Sequence, residues 1–224
     1  MLDLVLRKTQ QATGRKSMEQ MWEPFVHGVL LAFGLILPLG VQNVFIFNQG
    51  ALHTRLWKAA PAVITASLCD TLLIVLAVQG VSLLLLQWIW LKNVLFAAGF
   101  LFLIYIGYSL WKSAADGVQQ QHRADTIKRQ LLFTASVSLL NPHAIMDTIG
   151  VIGTSSLQYA GTDRVVFAAA AVLVSWLWFI SLAIAGRVMR KLDTTGQRLA
   201  WLNKGSAVLI WGMAGYMLLT MLKG

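Results

Sequence analysis

Residues 59–86 read AAPAVITASLCDTLLIVLAVQGVSLLLL: 28 positions with one charged residue, Asp70, close to the middle. A helix needs about 20 mostly apolar residues to cross the roughly 30 Å hydrocarbon layer of a bilayer. This stretch has enough. Working outward, five more stretches come close: Phe25 to Phe47, Leu91 to Trp111, Leu131 to Leu157, Val165 to Val188 and Trp201 to Leu222. The expected fold is therefore all-α and integral to the membrane, with about six transmembrane helices. Residues 1–24 form a polar tail, and residues 25–224 a single polytopic domain.

Composition agrees. Of the 224 residues, 57% are hydrophobic and 12% charged, where a soluble domain carries about 25% charge to face water. The net charge of +9 would suggest nucleic acid in a soluble protein. Here the basic residues sit in short connections, where orientation in the membrane selects for them, so no nucleic-acid partner is expected. Cys69 is the only cysteine, which excludes an intrachain disulfide and a cysteine-cluster metal site. Leu2 to Leu6 is too short for the apolar region of a signal peptide. Either the tail lies on the membrane surface or the natural start is Met18 or Met21.

Gln87 to Trp90 reads as a tight hairpin between the second and third spans, and Lys112 to Gln130 as the longest connection. With six crossings, eleven basic residues fall on one side: Arg55 and Lys58, Lys112 to Arg129, and Arg187 to Lys204. The other side holds Lys92, Arg164 and Lys223, plus four in the tail. The positive-inside rule places the richer side in the cytoplasm and both termini outside.

Two spans are interrupted. Pro38 cannot donate to the carbonyl of Gly34, Gly40 adds freedom, and the amides Gln42 and Asn43 follow. Pro142 does the same to the carbonyl of Ser138, between Asn141 and His143. An unpaired backbone group in hydrocarbon costs several kcal/mol, so both breaks should line a cavity or touch protein. Each broken span opens a set of three helices. That matches a 3+3 inverted repeat, in which secondary transporters bind substrate where discontinuous helices meet. Two kinked structural helices are the plainer alternative.

Asp70 and Asp147 are the acidic residues deep within spans, and no Lys or Arg lies at comparable depth. Each ionised carboxylate there costs about 2.5–3.5 kcal/mol. They are protonated, hydrogen-bonded to a neighbour such as Asn43 or Asn141, or positioned to receive a cation. His143 and Asp147 are four apart on one helix face, but two ligands are too few for a zinc site, so no metal is expected. His143 either hydrogen-bonds within the bundle or relays protons. No nucleophile–base set stands out, so no catalytic residue and no cofactor are expected. Gly99 and Gly107, Ala171 and Ser175, Ser181 and Ala185, and Gly212 and Gly215 provide small faces for helix packing, some of them suited to a homodimer.

Leu37-Pro38-Leu39-Gly40-Val41-Gln42-Asn43 with Asn48-Gln49-Gly50 resembles the first-helix signature of the LysE/RhtB family of amino-acid exporters. Asn141-Pro142-His143 with Asp147-Thr148 resembles its fourth-helix signature, Asp70 falls at the family's second-helix aspartate, and Trp176 to Phe179 matches an aromatic stretch of the fifth. The nearest branch is the LysE/ArgO group of arginine and lysine exporters. Val41 departs from the family's usual proline.

The resemblance implies a proton-linked antiporter in a prokaryotic plasma membrane, exporting amino acids and oligomeric. Substrate-binding candidates are then Gln42, Asn43, Asp70, Asn141 and Asp147. Asp70, Asp147 and His143 are candidates for proton coupling, and Pro38, Gly40 and Pro142 for the helix breaks. Other readings are export of neutral amino acids or of a metal cation, an intramembrane enzyme using His143 and Asp147, and a subunit that transports nothing.

Overall fold

A computed structural model of the chain describes residues 21–37, 40–53, 55–80, 89–115, 126–139, 141–193 and 197–223. All of its regular structure is helical. The first hydrophobic stretch forms two helices, α1 (Met21–Ile36) and α2 (Val41–Leu52), whose axes differ by 82°. Helix α3 (Ala60–Val78) follows a short 3-10 turn at Leu56–Lys58, and α4 spans Ile89–Ala115. The fourth stretch is also divided, into α5 (Ile127–Leu139) and α6 (Pro142–Asp147). From α6 the chain runs on through a π-helical turn (Thr148–Gly153) to Ser156. The long helices α7 (Gly161–Leu192) and α8 (Gln197–Lys223) complete the bundle. Among the described residues, α3 and α7 alone are long and apolar enough to cross a bilayer, with α1 and α2 as a third, bent span.

Some boundaries differ from the sequence expectation. The second span was expected to run to Leu86, but α3 stops at Val78. Gln79 donates to the carbonyl of Val75 and Gly80 to that of Ala77, and Gly80 takes a φ of +76°. That left-handed turn is a common helix ending, which glycine adopts without penalty. Apolar residues continue past Gly80, so hydropathy alone runs through the stop. At the expected hairpin, Ile89 and Trp90 already belong to α4, while Gln87 and Trp88 lie outside the described residues. Helices α4 and α5 likewise extend into the expected Lys112–Gln130 connection.

Three apolar clusters hold the bundle together. Val41, Leu103, Ile106, Val137 and Ile210 join α2, α4, α5 and α8. Ala32, Ile74, Ile152, Phe167 and Val174 join α1, α3, the π-helical turn and α7. Ile46, Ala62, Ala66, Phe179 and Leu182 join α2, α3 and α7. Large apolar side chains also cover the outside: Leu30, Leu68, Leu101, Leu177 and Leu219 are all more than half exposed. In water such a surface would drive aggregation. Against lipid tails it is at ease.

Helices α2 and α7 approach closely. A Cβ on Gly50 would collide with the backbone of Ala183, and one on Gly186 with the carbonyl of Phe47. Small residues allow such approach where helix association in lipid depends on van der Waals packing. The small pairs noted in the sequence divide. Gly107 seats the indole of Trp211 and Ala171 and Ser175 are buried, whereas Ser181 and Ala185 face outward. A Cβ on Gly212 or Gly215 would meet nothing within 4 Å.

Basic residues gather at one end. Arg190, late in α7, donates to the carbonyl of Leu52 at the end of α2 (2.7 Å). Lys204, early in α8, lies 5.7 Å from the ring centre of Trp111, late in α4. At the opposite end His27 Nδ1 and the Tyr159 hydroxyl are 2.8 Å apart, and Arg164 donates to the carbonyl of Tyr159 (3.0 Å).

Candidate functional site

The first break is held together by one amide. Where α1 ends its last carbonyls lack helical partners, and Asn43 Nδ2 donates to that of Ile36 (2.8 Å). Asn43 Oδ1 accepts from the Trp178 indole on α7 (3.3 Å). Asn43, 5% exposed, thus joins α1, α2 and α7. An Asn43→Leu variant leaves the Ile36 carbonyl and the Trp178 N–H without these partners, each loss costing about 1–3 kcal/mol. A lower unfolding midpoint in detergent is expected, and an unchanged midpoint would show that the clamp is dispensable.

Helix α2 has Gly40 at its N-cap with no side-chain cap among the described residues, and its positive dipole end faces the break. The second break starts at Asn141, whose extended backbone (φ −86°, ψ 98°) turns into α6 with Pro142 in its first turn. Proline suits that position because its missing N–H would have had no partner there. The π-helical turn after Asp147 is wider than an α-helical one, and π-bulges are frequent at functional sites. Hydroxyls stabilise this irregular backbone: Thr148 donates to the carbonyl of Ala144 (2.8 Å), Thr154 to that of Gly150 and Ser156 to that of Gly153 (2.6 Å).

The two breaks face one cavity of about 180 Å³. One water needs about 10–15 Å³ on this measure, so the cavity has room for about a dozen waters or a small zwitterion. Gln42, Asn43, Asp70, Asn141 and Asp147, which the sequence singles out as substrate-binding, all line it, as does Gly40. Pro38 lies outside the described residues, as does the side chain of His143. Gln42 Nε2 donates a long hydrogen bond to Asp70 Oδ1 (3.4 Å). Asn141 is 7% exposed, and its Oδ1 is buried with no hydrogen-bond partner among the described residues. Among the described residues the lining includes two carboxylates and no Lys or Arg.

The remaining wall contains residues that the sequence did not single out as site residues. Ser175 lines the cavity, although it read as helix packing. Thr148, Phe179 and Met213 line it too. Thr148 and Phe179 lay within quoted motifs, but a serine in a stripe of small residues carries no separate signal. The aromatic stretch acts as scaffold: Trp176 donates to the Thr71 hydroxyl, next to Asp70 (3.2 Å), and Trp178 to Asn43. Among the described residues, no three His, Cys, Asp or Glu side chains could share a metal ion.

A profile of the LysE type translocator family matches residues 32–221, a range that includes both breaks and the whole cavity wall. The chain belongs to that family. As a LysE-type translocator it is a multi-pass membrane protein of amino-acid transport and export, not an enzyme. It is 58% identical over 191 residues to the "Putative amino-acid transporter YisU" of Bacillus subtilis (strain 168), covering 85% of this chain and 87% of that protein. It is 32% identical over 198 residues to the "Arginine exporter protein ArgO" of Pectobacterium atrosepticum, covering 87% and 96%. A third relative, the "Putative amino-acid transporter YggA" of Aeromonas salmonicida, is 32% identical over 197 residues, covering 78% and 90%. No solved structure matches the translocator.

Proposed function

We propose that this translocator exports basic amino acids, arginine or lysine, across a prokaryotic plasma membrane in exchange for protons. The observation that carries the reading is the cavity wall, which among the described residues presents two carboxylates and no basic side chain where two broken helices meet. Arginine has a carboxylate at one end and positive charge at both. The open N-terminus of α2 suits the carboxylate, since helix N-termini bind anions. Asp70 and Asp147 suit the cationic groups, replacing the water these lose. Asn141 Oδ1, buried without a partner among the described residues, is an acceptor for an ammonium or guanidinium proton. Gln42 holds Asp70, and Asn43 is occupied with the break, so it positions the site.

The same carboxylates couple transport to protons by competition, since each holds either a proton or the substrate cation. Moving one positive charge outward against an inside-negative potential costs about 2.3 kcal/mol per 100 mV. One proton moving inward offsets this. His143, one turn before Asp147, is a further candidate for the proton path. In this reading the chain makes six crossings as two inverted triplets opening with α1/α2 and α5/α6, with the basic end in the cytoplasm and both termini outside.

Counterflow in proteoliposomes tests the cargo. Labelled arginine should accumulate in vesicles preloaded with unlabelled arginine or lysine, and excess lysine should compete at least tenfold better than leucine or alanine. Equal competition by neutral amino acids would overturn the basic-substrate reading. That outcome favours a neutral cargo, a second reading left open by the 58% relative, whose name specifies no amino acid. A divalent metal cargo has less support, because among the described residues the wall provides two carboxylates and no third strong ligand.

A further inference from the structure

The buried face of α5 carries polar residues that the cavity does not use. Gln130, Thr134 and Ser138 follow one another at intervals of four, so they stack along one side of the helix over about 12 Å. They are 1%, 0% and 1% exposed. Leu131, Leu132 and Leu139, on the same helix, face outward. The stripe starts at the basic end of the bundle and leads to Asn141, which lines the cavity. At the basic end Gln130 Nε2 and His53 Nε2 are 3.0 Å apart, and His53 is itself 4% exposed. Next to it Asn48 Nδ2 donates to Asn203 Oδ1 on α8 (2.8 Å), so α5 and α8 are both tied to the last turns of α2.

A helix packed only for stability in lipid could present leucine or alanine here. We propose that the polar face of α5 is the wall of the substrate's route between the cavity and the basic end, and that the His53–Gln130 pair closes it. The proposal rests on the transport reading above and names the segment that must part for cargo to enter. In the present arrangement Thr134 returns its hydroxyl to the carbonyl of Gln130 (2.7 Å), whereas Ser138 Oγ, nearer the cavity, is buried with no hydrogen-bond partner among the described residues. When α5 swings away, the hydroxyls and the Gln130 amide meet water and the zwitterion, and the apolar side of the helix keeps its contact with lipid. His53 and Gln130 are positioning residues, since neither lines the cavity.

Cysteine accessibility tests this in the full-length protein with Cys69→Ser as background. Single variants T134C and S138C are exposed, in membrane vesicles of each orientation, to an impermeant cationic methanethiosulfonate. K128C, at the exposed start of α5, reports which face is the basic end, and L132C, on the outer side of α5, is the control. T134C and S138C should react from the face that labels K128C, and L132C should not. Adding His53→Ala or Gln130→Ala should raise their labelling rate at least tenfold and leave K128C unchanged. His53→Gln, which retains an amide partner for Gln130, should stay slow. Labelling of neither position from the K128C face in either gate variant, or an unchanged rate in both, would overturn the proposal. The readout needs no substrate, so failure of arginine counterflow with this labelling pattern intact would refute the cargo and leave the route standing.

Discussion

Asp70→Asn and Asp147→Asn each reduce arginine counterflow by at least about tenfold while the protein still inserts and elutes as a single species in detergent. Losing one charged hydrogen-bond partner costs about 1.5–3 kcal/mol, and each 1.4 kcal/mol is a factor of ten in affinity. The amide keeps the shape and hydrogen-bonding capacity of the side chain, so the loss reports the charge. The two positions need not behave alike. Asp70 accepts from Gln42 on the rigid start of α2, whereas Asp147 stands where α6 widens into its π-helical turn. The carboxylate that carries the proton reveals itself when its asparagine variant still exchanges arginine for arginine but no longer responds to a pH gradient. Wild-type counterflow in both variants would remove the carboxylates from the mechanism.

Gly186→Leu and Gly50→Leu are expected to prevent folding. Even a single carbon at either position meets backbone on the facing helix, which cannot rotate away as a side chain can. Overpacking costs about 1–3 kcal/mol, sometimes more, and here four carbons enter where backbone meets backbone. Yield and a monodisperse elution profile are the readouts. Gly212→Leu is the control, because a Cβ there meets nothing within 4 Å, and it should fold normally. Normal folding of Gly186→Leu would mean that α2 and α7 are less closely packed than the structure has them.

Much of the site was legible in the sequence because its physics is local. A proline, a glycine and two amides within six residues cannot continue a helix in hydrocarbon without a reason, and an aspartate amid apolar residues needs one too. The structure adds that Gly40, Gln42, Asn43 and Asp70 line the same cavity. What stayed hidden depends on partners distant in sequence. Nothing about Gly50 or Gly186 says that each meets the other's helix, and Ser175 looks the same whether it packs or lines a cavity. The π-helical turn after Asp147 has no signature beyond the glycines and hydroxyls that tolerate it. The early end of α3 could have been found at Gly80, but the apolar residues beyond it hide the signal from any reading by hydropathy. His53 and Gln130 read as residues of polar connections, although each is almost completely buried.

The glycine contact has a mechanical consequence. With Gly50 and Gly186 in register and Arg190 clasping the end of α2, α2 and α7 behave as one welded beam. Helices α5 and α8 meet that beam through side chains alone: an apolar cluster and the polar contacts His53–Gln130 and Asn48–Asn203. Side chains can repack where backbone contacts cannot, so in the proposed cycle α2 and α7 form the static frame and α5 and α8 are the parts that move.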